Sequence, residues 1–526
     1  MYGGSGAGKS ASYVIPNALQ LLGSYVFTDP KGELYDKTAG YFKSKGYEVK
    51  VLNLVRPQNS DGYNPLHHIN NEIDVDIIAN TIVKGQGDGG KSSDPFWDDM
   101  SEMLMKALIY YLKATRPLEE QSLASCSELV RTANSSSGDN LLTNLMNQLP
   151  FDHPARMYYK NIEMLPEKTF GSVLGTLQSK LGKFDSREIA EVTSTNTIDF
   201  TDIGRKKTAV YVISSDTHTA YDFLLTIFFS QMIQQLYDFA DASGGALPVP
   251  TYFILDEFAN IGQIPDFDKK ISTSRSRKLS FSVILQNLDQ LEAVYKEAYE
   301  TIIGNCDTHL FLGSNSQKTV EYFSKALGEK TITRDNVSVN KDREDWKQGK
   351  SESDQIMGRA LMTPDELRRM DNDLCIIYEK GIKPIKANKY YYFKYPTAKV
   401  VDRYKVDHND VNIERGIWRK YNPYNPYVEG QDENGAGGGG TANSLESLDD
   451  LFADDPDEVT TNTSSTSSVA TPKAAAAPMS SSSSVGPIMT PEEKAEEEKR
   501  QAELIDIQKE LEAKFDELFG SIDSDD

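Results

Sequence analysis

Seven short runs of β-branched and aromatic residues punctuate the chain: SYVFTD (24–29), EVKVLNL (48–54), TAVYVIS (208–214), TYFILDE (251–257), FSVILQ (281–286), THLFLG (308–313) and LCIIYE (374–379). They are too uniformly apolar for strands with one wet face, and predict an α/β core whose sheet is covered on both sides. Between about Asp94 and Phe200 the alternation lapses. There FWDDMSEMLMKALIYYLKAT and LLTNLMNQL carry apolar positions at helical spacing, and residues 169–184 continue without a convincing strand. This predicts an all-α inserted domain at 94–200 that divides the α/β core into 1–93 and 201–400. The alternative is a set of helices that merely cover the sheet.

After Tyr427 the pattern changes. A C-terminal extension (401–427) gives way to a Gly-, Ser-, Thr- and Ala-rich stretch (428–489), too poor in apolar residues to offset the entropy of ordering and therefore expected to be a disordered linker. Beyond it, residues 490–520 predict an amphipathic helix. Thr490 and Glu493 form a capping box, Pro491 suits the first helical position and Gly520 the stop. Leu504, Ile507, Leu511, Phe515 and Leu518 line one face, and such a stripe outside a core calls for a partner. LDDLF (448–452) and FDELF (515–519) repeat a short acidic-apolar pattern and are candidate partner-binding motifs.

The charge follows the same division. Of the formal net charge of −23, residues 431–526 carry −17, from 23 acidic and 6 basic residues, leaving −6 for residues 1–430. The acidity therefore belongs to the tail, and a near-neutral body neither demands nor excludes nucleic acid. Cys126, Cys306 and Cys375 lie far apart without CxxC spacing, which disfavours a disulfide framework or a zinc site. His67 and His68 are adjacent and would diverge on any regular element, so a polar loop is the expected reading. No stretch reaches the ~18 uncharged apolar residues of a membrane span, and the chain reads as soluble.

Candidate chemistry begins at the third residue. Gly3-Gly4-Ser5-Gly6-Ala7-Gly8-Lys9-Ser10 has the spacing of a phosphate-binding loop. Its glycines let backbone N–H groups wrap a β-phosphate, Lys9 reaches the β and γ oxygens, and Ser10 is a Mg²⁺ ligand. Only Met1 and Tyr2 precede the loop, so the strand that normally holds it is missing from the pattern. The second anchor is TYFILDEF, where Asp256 would hold Mg²⁺ through water and Glu257 would polarise an attacking water. Together these motifs predict hydrolysis of ATP or GTP. Gln286, at the end of the next strand, is a candidate sensor of the γ-phosphate. In KKISTSRSRKLS, Arg275 and Arg277 are candidates to act on a neighbouring subunit's nucleotide, with solvated charge as the plainer reading. FTDPKGELYD places Asp29, Lys31 and Glu33 after the first strand, either at a ligand-binding strand end or in a Pro-Gly turn.

In order, GGSGAGKSASYVIPNAL, FTDPKGELYD, DGYNPL, DPFW, EKTFGSVLGTL, YFILDEFANIG, SRSRKLSFSVILQNLDQL and LMTPDELRRM span roughly residues 1–400. The set resembles the type IV secretion coupling proteins, the TraG-like membrane-anchored ATPases of bacterial conjugation. The resemblance implies a RecA-like P-loop NTPase core interrupted by an all-α domain and followed by an acidic tail, assembling as a homo-hexamer at the cytoplasmic face of the membrane. It implies ATP and Mg²⁺ as cofactors. The implied partners are single-stranded DNA with its bound relaxase, the proteins of the secretion channel, and accessory or substrate proteins at the C-terminal tail. Lys9 and Ser10 take the phosphate-loop roles, Asp256 and Glu257 the second motif and Gln286 the third, with an arginine finger falling on 275–277 only loosely. Such proteins normally begin with transmembrane helices and a strand before the loop. Neither precedes Gly3 here, so the chain is expected to be an N-terminally truncated form, cytoplasmic or peripheral. A related hexameric translocase for duplex DNA or protein, and a non-catalytic recruitment scaffold, remain alternatives.

Overall fold

The computed structural model describes residues 1–84, 95–133, 140–215, 221–339 and 350–424. The expected linker, the amphipathic helix at 490–520 and both acidic-apolar motifs lie outside the described residues. All seven predicted strands form. Five make a parallel sheet in the order β2-β3-β1-β4-β5: β1 (Ser24–Thr28), β2 (Glu48–Asn53), β3 (Thr208–Ile213), β4 (Thr251–Leu255) and β5 (Leu279–Val283). Every residue of β1 and β3 is buried, as expected of strands covered on both faces.

The two-residue period sorts these strands into two cores. Tyr25, Phe27, Tyr211 and Ile254 face the helix that follows β1, whereas Val26, Val210, Val212, Phe253 and Leu255 face the larger helical layer. On the first face Tyr25 stacks on Phe27 with ring centroids 5.5 Å apart, and Phe27 on Tyr211 at 5.0 Å. Aromatic pairs of this kind contribute roughly 0.5–1.5 kcal/mol beyond their area.

Between β2 and β3 the described residues form helices and no strand. These are α3 (Glu72–Lys84), α4 (Pro95–Thr115), α5 (Leu123–Thr132), α6 (Leu141–Asn147), α7 (Pro154–Glu163), α8 (Glu167–Leu181), α9 (Arg187–Ser194) and α10 (Phe200–Arg205), following α1 (Ile15–Ala18) and α2 (Glu33–Ser44). Leu104, Leu108 and Leu112 lie one turn apart on α4 and are wholly buried against neighbouring helices. They belong to the same continuous cluster as Val26 and Phe253 of the sheet, so these helices share the core of the sheet. After β3 come α11 (Asp222–Ala242), α12 (Phe267–Thr273), α13 (Leu288–Tyr295), α14 (Ala298–Gly304) and α15 (Gln317–Leu327).

The start of the chain departs from expectation. β6 (Thr308–Phe311) joins a second, antiparallel sheet in the order β10-β9-β6, with β9 (Leu374–Glu379) and β10 (Ile385–Asn388). Tyr2 bridges Leu285, just past β5, and Phe311 of β6, parallel to both, and so stitches the two sheets together. Met1 N donates to Val283 O (2.7 Å), Leu285 N to Met1 O (3.0 Å), Gly3 N to Leu285 O (3.0 Å), Tyr2 N to Leu310 O (2.8 Å) and Leu312 N to Tyr2 O (2.8 Å). The phosphate loop is therefore held by a strand segment of minimal length, because pairing on both sides uses nearly every backbone group it has. The Tyr2 ring anchors it further, 4% exposed and edge-on to Phe323 at 5.1 Å.

Sequence reasoning missed an antiparallel ribbon, β7 (Glu329–Val339) with β8 (Lys350–Ala360), and the exposed edge strand β10. IKAN is exposed along most of its length, and the described side chains of the ribbon, at 329–333 and 356–360, are exposed or half-buried, so these segments carry no apolar alternation. After α16 (Pro364–Arg368) and β10, the chain makes α17 (Thr397–Arg403) and then runs back over the body as a strap. Val406 N donates to Asp36 O (2.9 Å), Arg415 to Pro57 O (2.9 Å) and Tyr421 N to Ser125 Oγ (2.9 Å), tying α2, the segment after β2 and α5 together. Among the described residues no helix is long and apolar enough to cross a membrane, and the three cysteines are unpaired.

Candidate nucleotide site

The carboxyl ends of parallel strands are where open α/β sheets present ligand-binding loops, and three of the predicted motifs meet there. Gly3–Ser10 leaves the Tyr2 bridge and enters a wide, π-type helical turn (Ser10–Val14) that continues into α1. Gly6 (φ 76°) and Gly8 (φ 79°) adopt the left-handed conformation that lets the loop curl. Gly3 is packed so closely that a Cβ there would meet Lys9 Cγ at 3.0 Å and both Ala7 and Leu312 at 3.3 Å. Gly4 N donates to Gly313 O (3.0 Å) and Ala7 N to Gly4 O (3.1 Å), while Ser5 is exposed at the tip. The amides of Gly6, Gly8 and Lys9 find no backbone acceptor among the described residues. Unspent backbone donors at a helix entrance are what a phosphate group requires.

β4 delivers the carboxylates. Asp256 follows its last residue, and its carbonyl accepts a hydrogen bond from Thr28 Oγ1 at 2.6 Å, which fixes the end of β4 against β1. Glu257 adopts a left-handed backbone (φ 51°), a conformation costing ~1–3 kcal/mol for a residue with a Cβ. The turn brings its side chain back over the loop. Glu257 Oε1 accepts from Lys9 Nζ at 2.6 Å and from Gln286 Nε2 at 3.0 Å. Lys9 also lies 4.0 Å from Asp256 Oδ1, with the three charged side chains 10–16% exposed. Ser10 Oγ donates to Asp256 Oδ2 at 3.4 Å. Burial pushes the Asp256 carboxyl above its usual range, with the Lys9 ammonium opposing the shift.

Arg275 and Arg277 do not join this cluster. Their short turn precedes β5, at the opposite end of the strand from Gln286. Arg277 is committed to Asp241 through two bonds, Nε to Oδ1 (2.9 Å) and Nη2 to Oδ2 (3.0 Å), and stacks over Tyr237. The strand's direction carries its two ends apart, so within one chain these arginines stand away from the Lys9–Glu257 cluster, consistent with the expectation that they would act on a neighbouring subunit's nucleotide. Among the described residues Asp29, next to Thr28 at the end of β1, makes no hydrogen bond to this cluster. Its buried carboxylate accepts from Tyr35 N at 2.8 Å at the entrance to α2, and burial pushes it up to about 6. The FTDPKGELYD segment is a helix-entry turn around left-handed Gly32.

Two side chains that bear on the loop carried no sequence signal. Lys389, just after β10 and 5% exposed, donates to Ala7 O (2.9 Å), Leu312 O (2.8 Å) and Asn372 Oδ1 (3.2 Å). Tyr391 lays its ring on Gly8, where a Cβ would meet Tyr391 Cε1 at 2.8 Å. A lysine in ANKYYYFKYP reads as a surface charge, and only the fold shows it under the loop.

The family described as Type IV secretory system Conjugative DNA transfer matches residues 1–413 of the chain. The chain belongs to this family. Among curated relatives of this conjugative DNA-transfer family, Protein VirD4 of Rhizobium radiobacter is 25% identical over 405 residues, 75% of this chain and 56% of that protein. The conjugal transfer protein TraG of Escherichia coli is 25% identical over 432 residues, 75% of this chain and 67% of its own length. The chain thus spans little more than half the length of VirD4. Among solved structures, the bacterial conjugative coupling protein TrwB (TrwBdeltaN70) superposes with a TM-score of 0.54 at 16% identity, covering 75% of this chain and 86% of that one. The plasmid coupling protein TrwB in complex with ADP and Mg²⁺ gives 0.54 at 16%, covering 74% and 84%. At that identity the likeness speaks to the fold, which is the coupling-protein α/β fold.

Proposed function

We propose that this chain is the nucleotide-hydrolysing part of a conjugative coupling ATPase, which brings relaxase-bound single-stranded DNA to a type IV secretion channel and drives its transfer. The observation that supports the reading best is the convergence of Lys9, Asp256, Glu257 and Gln286 beside unspent loop amides. Membership of the conjugative-transfer family supports DNA as the substrate class. Hexameric assembly at the membrane, and contact with channel and accessory proteins, belong to the same proposal.

The residues fit ATP with Mg²⁺. The Ser10 hydroxyl beside the Asp256 carboxylate is a hard-oxygen donor pair, suited to hold the ion directly and through water respectively. When bound, the ion neutralises charge that develops across the β- and γ-phosphates. Loop amides and Lys9 take the remaining phosphate oxygens. In the free chain Lys9 is paired with Glu257. A γ-phosphate that draws the ammonium away releases the Glu257 carboxylate to orient a water and accept its proton as the water oxygen bonds to the γ-phosphorus and the bond to the β–γ bridging oxygen breaks, leaving ADP and phosphate. Gln286, bonded to the same carboxylate, is placed to report whether a γ-phosphate is present. Arg275 and Arg277 enter only as groups offered to a neighbouring subunit.

The test is phosphate release by the full chain with ATP and Mg²⁺, alone and with single-stranded or duplex DNA. Turnover stimulated by single strands, and lost with nucleotide binding in Lys9→Ala, is expected. Turnover unchanged in Lys9→Ala overturns the assignment of the loop, and stimulation by duplex DNA alone overturns the assignment of the substrate.

A further inference from the structure

KYYYFKY (389–395) places five aromatic residues within six positions, directly after Lys389 has fixed the chain beneath the phosphate loop. Their placement has a direction. Tyr391 is buried, with its ring on Gly8 and its hydroxyl bonded to Asn372 O at 3.2 Å. Phe393 stacks on Tyr391 with centroids 5.2 Å apart and planes 24° from parallel, while Tyr392 meets Phe393 edge-on at 5.6 Å. Yet Phe393 is 54% exposed. Its turn, Tyr392–Lys394, packs along the Ser10–Val14 helical turn.

A nucleotide in this loop would lie in a known sense. Lys9, Glu257 and Gln286 mark the γ-phosphate end, so the α-phosphate, ribose and base leave over the start of the helix, on the side of residues 392–394. An aromatic ring backed by a second ring and more than half exposed beside that exit matches what a base requires of a stacking platform.

We propose that the exposed ring of Phe393, backed by Tyr391, is the platform on which the purine base of a nucleotide held by the phosphate loop stacks. The proposal rests on the phosphate-loop reading and adds the base subsite to it. Stacking uses the π face and not the hydrogen-bonding edge, so the platform accepts adenine and guanine alike. Lys389 and Tyr391 serve as positioning residues, holding loop and platform in one register.

The experiment compares two ligands, ADP and inorganic tripolyphosphate, by calorimetric titration of the full chain. In Phe393→Ala, ADP affinity is expected to fall roughly tenfold with tripolyphosphate affinity unchanged, and Phe393→Trp is expected to restore ADP binding. ADP affinity unchanged in Phe393→Ala overturns the platform. An equal loss for both ligands also overturns it, since Phe393 would then act only by shaping the loop. Altered self-association with unchanged ADP affinity would assign the ring to a subunit contact instead. A wild-type chain that binds neither ligand removes the phosphate site and the platform together, a result distinct from the others.

Discussion

The Lys9–Glu257 pair makes a quantitative prediction, because nucleotide and carboxylate compete for one ammonium. The two groups lie 2.6 Å apart with side chains 10% and 16% exposed. At an effective dielectric constant of ~20 the Coulomb attraction at that distance is about 6 kcal/mol, an upper bound before desolvation. The net worth of a hydrogen bond to a charged group is nearer ~1.5–3 kcal/mol. Glu257→Gln keeps the side-chain shape and an oxygen for both Lys9 and Gln286, but removes the charge, which supplies about half of such a bond. Lys9 is then freed at a saving of ~0.8–1.5 kcal/mol, and nucleotide binding should tighten roughly four- to twelvefold. Hydrolysis should fall by ~10²–10⁴, the usual contribution of a general base. Fluorescent-nucleotide titration measures the first effect and phosphate release the second. A variant that binds more weakly than wild type refutes the competition, and one that turns over within a few-fold of wild type refutes the role of Glu257.

Two further outcomes follow from groups outside that pair. Lys389→Met leaves the carbonyls of Ala7 and Leu312 without their donor, so urea unfolding should show a loss of ~2–4 kcal/mol, with weaker ADP binding; unchanged values for both would show that the lysine holds nothing. His68, stacked on Phe200 and bonded to Asn196, is lowered by burial to about 4. The unfolded chain, with an ordinary histidine value of ~6.5, therefore binds the extra proton first, and stability is lost as pH falls from ~6.5 towards 4. The loss from this residue should be about 2 kcal/mol between pH 7.5 and pH 5, and His68→Gln should remove that part of the urea-midpoint shift, whereas an unaltered pH slope would place the titration elsewhere.

Local pattern carried much of the architecture. All seven apolar runs became strands, and in β1 and β3, where every residue is buried, a strand covered on both faces writes its burial into consecutive residues. Gly3–Ser10, Asp256–Glu257 and Gln286 were recognisable because each occupies a strand end or loop with fixed spacing. The β7–β8 ribbon was not, since its described side chains at 329–333 and 356–360 are mostly exposed and leave no apolar period. FTDPKGELYD offered a ligand site or a turn with equal force, and only the buried hydrogen bond that Tyr35 N donates to Asp29 made it a helix entrance.

What the chain's sequence determined by itself is the α/β class, its membership of the conjugative-transfer family and the identity of the groups that would handle phosphate. The tertiary structure decided which of them meet. Gln286 reaches Glu257 while Arg275 and Arg277 do not, because one strand has two ends and the proposed nucleotide site lies at its carboxyl end. It decided how a loop beginning at the third residue is held, through pairing of Met1–Gly3 with two strands more than 280 residues away in sequence. It also placed Lys389 beneath Ala7 and the ring of Tyr391 on Gly8. Contacts between residues so distant along the chain arise from sheet order and packing, which no local period encodes.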